Sequence, residues 1–449
     1  MIAQRTPPGL AFPQPQLVTW ITPLTGATVI HPGRCDGSRR CGVLFSTLQI
    51  EGDTMSRSID VVVVGGGYAG VMAANRVSRR DDVKVTVINP RQVFVPRLRL
   101  HQLVGGTHDA VAEYQEVLAD GVELVVDNAN HIDAVGRTVT LADGGSVGYD
   151  YLVYAVGSHS GGQQVPGAAE FAYPVATFEA AQRLRAALLE IPRSATVTVV
   201  GGGPVGIETS AELAEQGRSV RLICGGDVGP YLHPSARRTA RKYLADLGVE
   251  VIEGPDASVT AVSSGAVELG DGRTLASQLT IWAAGFGVPD LAARSGLRTD
   301  AAGRLLTDET LTSRDSSRIV AAGDASAPSD LPFRMSAYIA GCLGAHAADT
   351  VLARIADAQP APIDLAFQAM CFSFGRGAGI FQLLHKDDRA KRLYFTGFMG
   401  RKLKEYSCAA SVKHLVTEAR KPGSHHWPKD GGHRPALLRT RNDVPTPSA

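Results

Sequence analysis

Two glycine clusters have the spacing of a dinucleotide-binding turn, and the first follows the apolar run IDVVVV directly. In this GxGxxG pattern the first glycine permits a tight turn, the second lets a pyrophosphate approach the backbone, and the third lets helix and strand pack closely. The N-terminus of the following helix then faces the phosphates with its partial positive charge. The predicted contacts are Gly65, Gly66, Gly67, Tyr68, Ala69 and Gly70.

The second cluster repeats the first, again between an apolar strand pattern, TVTVV, and a helical pattern. Two such units in one chain are far more specific than either alone, because one dinucleotide needs only one site. The sequence therefore predicts two bound dinucleotides. The contacts predicted for the second are Gly201, Gly203, Pro204, Val205 and Gly206.

About 20 residues beyond each cluster an acidic side chain is expected to bind the ribose hydroxyls. The first unit has Asn89 there, which can still accept a hydrogen bond. The second has Cys224, so no carboxylate repels a 2′-phosphate. Arg237 and Arg238 could reach such a phosphate, although a solvated helix face is the favoured interpretation for them.

The elements that position these turns alternate between strands and helices. Strand, glycine turn, helix and strand occur at 59–89 and again at 196–224, and each unit is followed by a short antiparallel pattern that ends in an apolar strand and a glycine. One long helix is predicted after Gly323 and Asp324, and residues 366–416 mix both signals. This order predicts an α/β protein with two Rossmann-like three-layer nucleotide-binding domains and a small α+β C-terminal domain.

The motif order resembles the two-dinucleotide-binding flavoproteins, and within them type II NADH dehydrogenases and the ferroptosis-suppressor and apoptosis-inducing-factor-like oxidoreductases. The segments that carry this resemblance, over residues 58–416, are the first glycine cluster, YDYLVYAVGS, the second cluster with GIE, TIWAAG and RIVAAGDAS. The resemblance implies an FAD domain over 56–160 and 286–365. It further implies an NAD(P) domain over 161–285 and a C-terminal domain over 366–420.

The same resemblance implies roles for individual residues. Asp324, with Gly323, would bind the ribityl chain of FAD, and Glu208 would stand near the nicotinamide as a catalytic group, unless it only favours the dipole of its helix. Arg97 and Arg99 would contact the flavin. The crossover segments between the domains would be Ala155 to Gly157 and Ala283 to Gly285, including Ala284.

The implied reaction passes a hydride from C4 of NADH or NADPH to N5 of the flavin, and then electrons to an acceptor, a quinone being one candidate. The relatives' disulfide reductases carry a cysteine pair after the first unit, but this chain has none there, which excludes a dithiol mechanism. Tyr338 and Cys342 replace the relatives' two quinone-site glutamines, which puts a quinone in doubt. The alternatives are a flavin-bearing redox sensor and a ferredoxin or rubredoxin reductase.

Composition restricts the cellular setting. The formal net charge of +1 over 449 residues gives no reason to expect a nucleic-acid partner, and no apolar run is long enough to span a bilayer. Six scattered cysteines favour a reducing cytoplasm. The histidines lack ligand spacing, so no metal is expected.

The two ends of the chain differ from its centre. Residues 1–55 are predicted to be a disordered or spurious extension, with Met55 as an alternative start, and residues 421–449 a disordered tail. Residues 386–443 contain fourteen basic and six acidic side chains. Within them, Phe395, Phe398, Met399 and Leu403, flanked by Arg401, Lys402 and Lys404, suggest peripheral contact with the inner face of a membrane, although packing on the flavin domain is favoured slightly.

Overall fold

The computed structural model describes residues 58–161 and 164–442. The predicted N-terminal extension and residues 443–449 of the predicted tail lie outside this range. The α-helices are α1 (Tyr68–Val77), α2 (Leu100–Gly105), α3 (Tyr114–Val117), α4 (Ala168–Phe171), α5 (Phe178–Glu190), α6 (Pro204–Glu215), α7 (Pro234–Asp246), α8 (Leu291–Arg294), α9 (Ala337–Ile355), α10 (Gly397–Arg420) and α11 (His433–Asn442).

The strands of the first half are β1 (Ile59–Val64), β2 (Val83–Ile88), β3 (Val93–Phe94), β4 (Ala112–Glu113), β5 (Glu123–Val125), β6 (Ala129–Asp133), β7 (Thr138–Leu141), β8 (Ser146–Gly148), β9 (Tyr151–Tyr154), β10 (His159–Ser160), β11 (Ala172–Pro174), β12 (Thr196–Val200) and β13 (Ser219–Ile223). Those of the second half are β14 (Glu250–Ile252), β15 (Val259–Val262), β16 (Ala266–Leu269), β17 (Thr274–Ala276), β18 (Leu279–Trp282), β19 (Phe286–Gly287), β20 (Leu305–Thr307), β21 (Ile319–Ala321), β22 (Ser326–Pro328), β23 (Ala369–Phe374), β24 (Ala378–Leu384) and β25 (Ala390–Thr396).

The first main sheet is parallel, with the strand order β21-β9-β1-β2-β5. Its central strand β1 is buried from Val61 to Val64, as expected for a parallel sheet covered on both faces. Helices α1 and α9 pack tightly together on this sheet, because a Cβ atom on Gly344 would lie only 2.2 Å from the carbonyl oxygen of Ala69. The turn between β21 and β22, at Gly323, also lies next to the start of α1.

The second main sheet repeats the plan, with the parallel order β11-β18-β12-β13-β14. In both sheets the strand before the glycine turn is central, and the strand after the following helix lies beside it. Each sheet also has a three-stranded antiparallel companion, β6-β7-β8 for the first and β15-β16-β17 for the second. The predicted mixed α/β architecture with two Rossmann-like sheets is confirmed.

Two short strands join the halves. β10 follows the first sheet and pairs antiparallel with β19, which follows the second. Gly157 and Gly285 stand at corresponding places before these strands and share a left-handed conformation, with φ of +70° and +69°. Such values favour glycine, since a Cβ atom would be strained there.

The C-terminal part consists of the antiparallel sheet β23-β24-β25 and the long helix α10. Beyond α10 the prediction of disorder is wrong for residues 421–442. Arg434 is buried and binds both carboxylate oxygens of Glu309, at 2.6 and 3.0 Å, and the Trp427 indole donates to the carbonyl of Asp364 at 3.1 Å. The segment folds despite its polar composition because its buried charge is paired, a feature that composition does not reveal.

None of the helices within residues 58–161 and 164–442 is both long and apolar enough to cross a membrane.

Candidate dinucleotide and redox site

The two glycine clusters form turns of the same shape. A Cβ atom on Gly70 would lie 1.8 Å from the carbonyl oxygen of Gly65, and one on Gly206 would lie 1.9 Å from that of Gly201. Any side chain at these positions would push the helix away from its strand. The crossover segments lie against the same turns, because Cβ atoms on Gly65 and Gly201 would meet backbone atoms of Ala155 at 2.3 Å and of Ala283 at 2.8 Å.

Gly67 and Gly203 leave the start of each helix open. Each is the N-cap of its helix, without a side-chain capping bond, and a Cβ atom there would meet nothing within 4 Å. Since the first N–H groups of a helix have no intrahelical partner, both helix starts can bind an anion. Pro204 occupies the first position of α6, and Val205 follows it. Both turns therefore fit a dinucleotide pyrophosphate.

Asn89 supports the first turn from below. Its side-chain oxygen accepts from the Gly66 N–H at 3.0 Å, and its Nδ2 donates to the carbonyl of Arg91 at 3.0 Å. Tyr114 donates its hydroxyl to the Gly66 carbonyl at 2.7 Å. Both halves of the Asn89 amide are thus engaged by the backbone, so a ribose would have to share its oxygen. Tyr68 turns away toward α10, where its hydroxyl lies 3.2 Å from that of Ser411.

Cys224 lies against the second turn. A Cβ atom on Gly202 would be 3.0 Å from its sulfur, and burial raises the pKa of the Cys224 thiol to about 12. The nearest acid along the chain is Asp227, whose carboxylate forms ion pairs with Arg237 and, at 3.3 Å, with Arg241. The end of β13 therefore presents a neutral thiol, and the neighbouring acid is already paired.

The turn between β21 and β22 places Asp324 beside the first crossover segment. Its Oδ2 accepts from the Ser158 hydroxyl at 2.7 Å and lies 3.6 Å from Nη1 of Arg97. Arg97 in turn donates to the Ser158 oxygen at 3.0 Å. Gly323 adjoins the start of α1, since a Cβ atom there would be 3.0 Å from that of Ala69. The structure thus brings Asp324, Arg97 and the first glycine turn together.

Arg99 does not join this group. It is buried, donates to Gln102 Oε1 at 2.9 Å and forms an ion pair with Glu405 of α10. Its charge is used to fasten α10 to the segment before α2.

Glu208 lies in a buried polar network between three parts of the chain. Its Oε1 accepts from Lys404 Nζ of α10 at 2.8 Å and from the backbone and hydroxyl of Ser373 in β23, at 2.9 and 3.1 Å. Its Oε2 lies 3.7 Å from Nδ1 of His101 in α2. A glutamate that only interacted favourably with the helix dipole would need none of these partners. Its contacts therefore favour a specific role for Glu208 over that alternative.

The charges in this network follow from burial and pairing. Burial acts to raise the pKa of Glu208, but Lys404, His101 and the hydrogen bond from Ser373 together outweigh it and hold that pKa below its usual range. Burial likewise acts to lower the pKa of Lys404, but Glu208 and the nearby thiols of Cys408 and Cys371 together raise it above its usual range. Burial lowers the pKa of His101 to about 4, so its imidazole is neutral at physiological pH. The network is therefore an ion pair beside a neutral histidine.

Lys404 corrects one expectation from sequence. The sequence pattern places Lys404 among the cations that flank a membrane-interface segment. In the structure its side chain is only 4 % exposed and forms an ion pair with Glu208. Phe398 and Met399 are 63 % and 54 % exposed, and Lys402 lies over the Phe398 ring at 5.5 Å. The exposed patch is thus formed by the end of β25 and the first turns of α10, without Lys404.

Tyr338 and Cys342 face the C-terminal part of the chain. The Tyr338 hydroxyl donates to the Ala366 carbonyl at 3.2 Å, and the buried Cys342 sulfur lies 3.8 Å from Nε2 of His425. Burial raises the pKa of the Cys342 thiol to about 12, which disfavours the reactive thiolate. Over the described ranges, no group of three or more His, Cys, Asp or Glu side chains could hold a metal ion.

Sequence reasoning missed Ser158, His101, Ser373 and the inward direction of Lys404. Ser158 had a usable signal, because it directly follows the glycine that ends the first crossover. The other three come from segments far apart in the chain, and no spacing rule connects them.

Comparisons with known proteins agree with this geometry. Residues 59–347 match the family model described as pyridine nucleotide-disulphide oxidoreductase. An NADH dehydrogenase-like protein of Mycobacterium tuberculosis is 35 % identical over 294 residues, covering 60 % of this chain and 72 % of the relative. The type II NADH:quinone oxidoreductase Ndh of the same organism is 28 % identical over 350 residues, which cover 67 % of this chain and 74 % of that relative.

Among solved structures, the sulfide:quinone oxidoreductase of Aquifex aeolicus superimposes with a TM-score of 0.67 at 20 % identity, covering 82 % of this chain and 93 % of its own. NDH2 from Plasmodium falciparum in complex with NADH superimposes with a TM-score of 0.65 at 16 % identity, covering 83 % of this chain and 99 % of its own. These similarities show the fold. With the family match over most of the described residues, this chain belongs to the pyridine nucleotide-disulphide oxidoreductase family and is an oxidoreductase whose cofactors are FAD and a nicotinamide dinucleotide.

Proposed function

We propose that the protein oxidises NADH or NADPH through FAD and passes the electrons to a quinone, without a redox disulfide. The observation that carries this proposal is the pair of matching open turns at Gly67 and Gly203 together with the buried Glu208–Lys404 pair. The relatives named type II NADH:quinone oxidoreductase support the quinone as acceptor.

The first turn would hold the FAD pyrophosphate at the start of α1, and Asp324 would hold the ribityl chain. Ser158 and Arg97 orient the Asp324 carboxylate. The second turn would hold the pyrophosphate of NAD(P)H at the start of α6. Bound FAD supplies hydride acceptance and onward electron transfer; the chain supplies alignment and charge.

The Glu208–Lys404 pair would keep a fixed dipole next to the second turn. Lys404 Nζ donates to Glu208 Oε1, and Ser373 holds the same oxygen from the other side, so the carboxylate cannot rotate freely. Fixed charges in a buried site act without reorganising when charge moves during a reaction. Glu208 is thus our candidate catalytic residue.

Anaerobic stopped-flow mixing of the FAD-loaded protein with NADH or NADPH tests this function. We expect the flavin absorbance to bleach at least as fast as steady-state turnover, and to recover when menadione is added. A long-lived charge-transfer complex with slow reoxidation by menadione would instead support a redox sensor. A protein that stays colourless after incubation with FAD would contradict the whole scheme.

The end of β13 leads to a prediction about nucleotide preference. Because Cys224 offers no negative charge and Asp227 is paired with Arg237 and Arg241, we expect NADPH to bind at least as tightly as NADH. Cys224→Glu should shift the ratio of the two dissociation constants toward NADH, measured by quenching of nucleotide fluorescence. Cys224→Ser is the matched control without charge. A wild-type preference for NADH of about a hundredfold, near 2.7 kcal/mol, would mean that Asp227 binds the ribose.

We also propose reversible attachment to anionic membranes through the exposed patch at Phe395, Phe398, Met399 and Lys402. Apolar side chains there would enter the interface while each nearby cation contributes about 1 kcal/mol. The patch has the exposure that this requires, since Phe398 and Met399 are more than half exposed.

Co-sedimentation with vesicles tests the attachment. We expect binding to phosphatidylserine-containing but not to purely phosphatidylcholine vesicles, and loss of that binding in Phe398→Ser/Lys402→Glu. Lys242→Glu, on the exposed face of α7, is the control for charge alone. Absence of binding to both vesicle types would refute attachment.

A further inference from the structure

A second buried carboxylate, Glu212, lies one turn beyond Glu208 on α6. Its side chain is 1 % exposed, and its Oε1 accepts from the Thr107 hydroxyl at 2.6 Å. Its Oε2 has no hydrogen-bond partner within the described part of the chain, and the nearest cation is Nε of Arg376, at 3.9 Å. A buried carboxylate with one unpartnered oxygen is costly when ionised and can readily hold a proton.

Helices α2 and α6 run side by side past both carboxylates. His101 contacts Glu208, and four residues further along both helices Gly105 contacts Glu212, where a Cβ atom would lie 2.6 Å from its Cγ. Gln102, the residue after His101 on α2, is also buried and has its Nε2 unpartnered among the described residues. A row of buried polar groups, with His101 and Glu208 at one turn and Glu212 at the next, therefore extends along this helix pair.

One end of the row approaches solvent. The side chain of Arg376, in the turn between β23 and β24, is 38 % exposed and lies beside Glu212. The other end is the ion pair of Glu208 with Lys404. The row thus joins the surface to the buried network by way of Glu212.

We propose that Glu212 delivers protons from solvent at Arg376 to the buried network at Glu208. This inference rests on the proposed function, because oxidation of the nicotinamide by a quinone consumes one proton for each hydride delivered. NAD(P)H, one proton and a quinone give NAD(P)⁺ and a quinol, so the second quinol proton must come from water. An electron-only oxidant needs none: two ferricyanide ions accept the two electrons, and the hydride's proton is released.

The surroundings of Glu212 suit this task. Burial raises its pKa, against the lowering effects of Thr107 and Arg376, while Glu215 and Glu208 on the same helix raise it further. Of the titratable groups beside Glu208, His101 is on α2 and Lys404 on α10. A carboxyl group with a raised pKa can take up and release a proton nearer to neutral pH than an exposed one.

The two classes of acceptor separate proton delivery from electron delivery. In Glu212→Gln we expect turnover with menadione to fall by about a hundredfold, within the usual range for loss of a proton-transferring group. Turnover of the same variant with ferricyanide should stay near the wild-type rate, and Glu212→Asp should restore part of the menadione rate. Glu215→Gln removes a carboxylate that binds the backbone of the same turn, at 2.6 Å to the Arg376 N–H, and should leave the ratio of the two rates unchanged.

A stability measurement adds a readout that needs no turnover. With a raised folded pKa, ionisation of Glu212 costs stability as the pH rises through that pKa. Glu212→Gln should therefore unfold at the same temperature as wild type at acid pH and at a higher temperature at alkaline pH, in the protein without added nucleotide. Glu215→Gln should show no such gain.

The outcomes are distinguishable. Equal losses with menadione and ferricyanide would give Glu212 only a structural role and overturn the inference, as would unchanged rates with both acceptors. A wild-type protein that reduces ferricyanide but not menadione would refute the quinone in the proposed function, whereas the pH-dependent difference in unfolding temperature would still test Glu212 itself.

Discussion

Asp324→Ala is expected to yield a protein that loses FAD during purification. The carboxylate lies in the turn between β21 and β22 and is positioned by Ser158 and Arg97. Hydrogen bonds to a charged group contribute about 1.5–3 kcal/mol, so we expect FAD affinity to fall by roughly 10- to 150-fold. The measurement is the flavin absorbance per mole of protein after desalting, followed by titration with FAD.

Two further variants make this result interpretable. Asp290→Ala removes an exposed carboxylate paired with Arg294 on the surface and should keep its flavin. Asp324→Asn preserves the shape of the side chain, so its FAD affinity should lie between those of Asp324→Ala and wild type. If desalted Asp324→Ala retained one FAD per protein, the prediction that Asp324 binds FAD would be wrong.

Lys404→Met is expected to lower the free energy of unfolding by about 3–5 kcal/mol near neutral pH, the usual cost of removing one partner of a buried ion pair. The loss arises because the Glu208 carboxylate would remain buried without its cation. Urea unfolding measures it. Lys402→Met removes an exposed lysine two residues away and should change stability by no more than about 0.5 kcal/mol.

The pH dependence gives this prediction a definite sign. In wild type the folded pKa of Glu208 lies below its usual range, so the pair stabilises the protein above the unfolded pKa and loses this effect as the pH falls. In Lys404→Met only His101 and the Ser373 hydrogen bonds oppose the effect of burial on Glu208, so we expect its pKa to rise and stability to be lost as the pH rises. The difference in free energy of unfolding between the two proteins should therefore shrink toward acid pH. The double variant Glu208→Gln/Lys404→Met should regain most of the stability lost in Lys404→Met. A pH-independent difference would attribute the loss to packing.

The glycine turns could be predicted from sequence because their chemistry is local, whereas the role expected of Asp324 follows from the family resemblance. Gly65, Gly67 and Gly70 lie within six residues, and their roles follow from backbone geometry that any helix after a parallel strand imposes. The repeat at Gly201 to Gly206 has the same local basis. For these positions the surrounding fold adds little information.

The buried network could not be predicted because its partners are distant in the chain. In sequence, Lys404 is one of several cations near exposed aromatic residues, and only the packing of α10 against β23 and α6 turns it toward Glu208. The ion pair of Arg99 could not be predicted for the same reason, since its partner Glu405 is on α10. The ordered segment around Arg434 was missed because pairing with Glu309 compensates for its polar composition.

The large separation of Glu208 and Lys404 along the chain also has a consequence for biosynthesis. During translation α6 leaves the ribosome long before α10, so Glu208 has no cation partner until α10 has been synthesised. The second sheet can form earlier, but the interface that buries Glu208 becomes favourable only when α10 arrives, so closure of this interface is a late step of folding. A nascent chain that stops before α10 would leave the Glu208 carboxylate without its cation and this interface unburied.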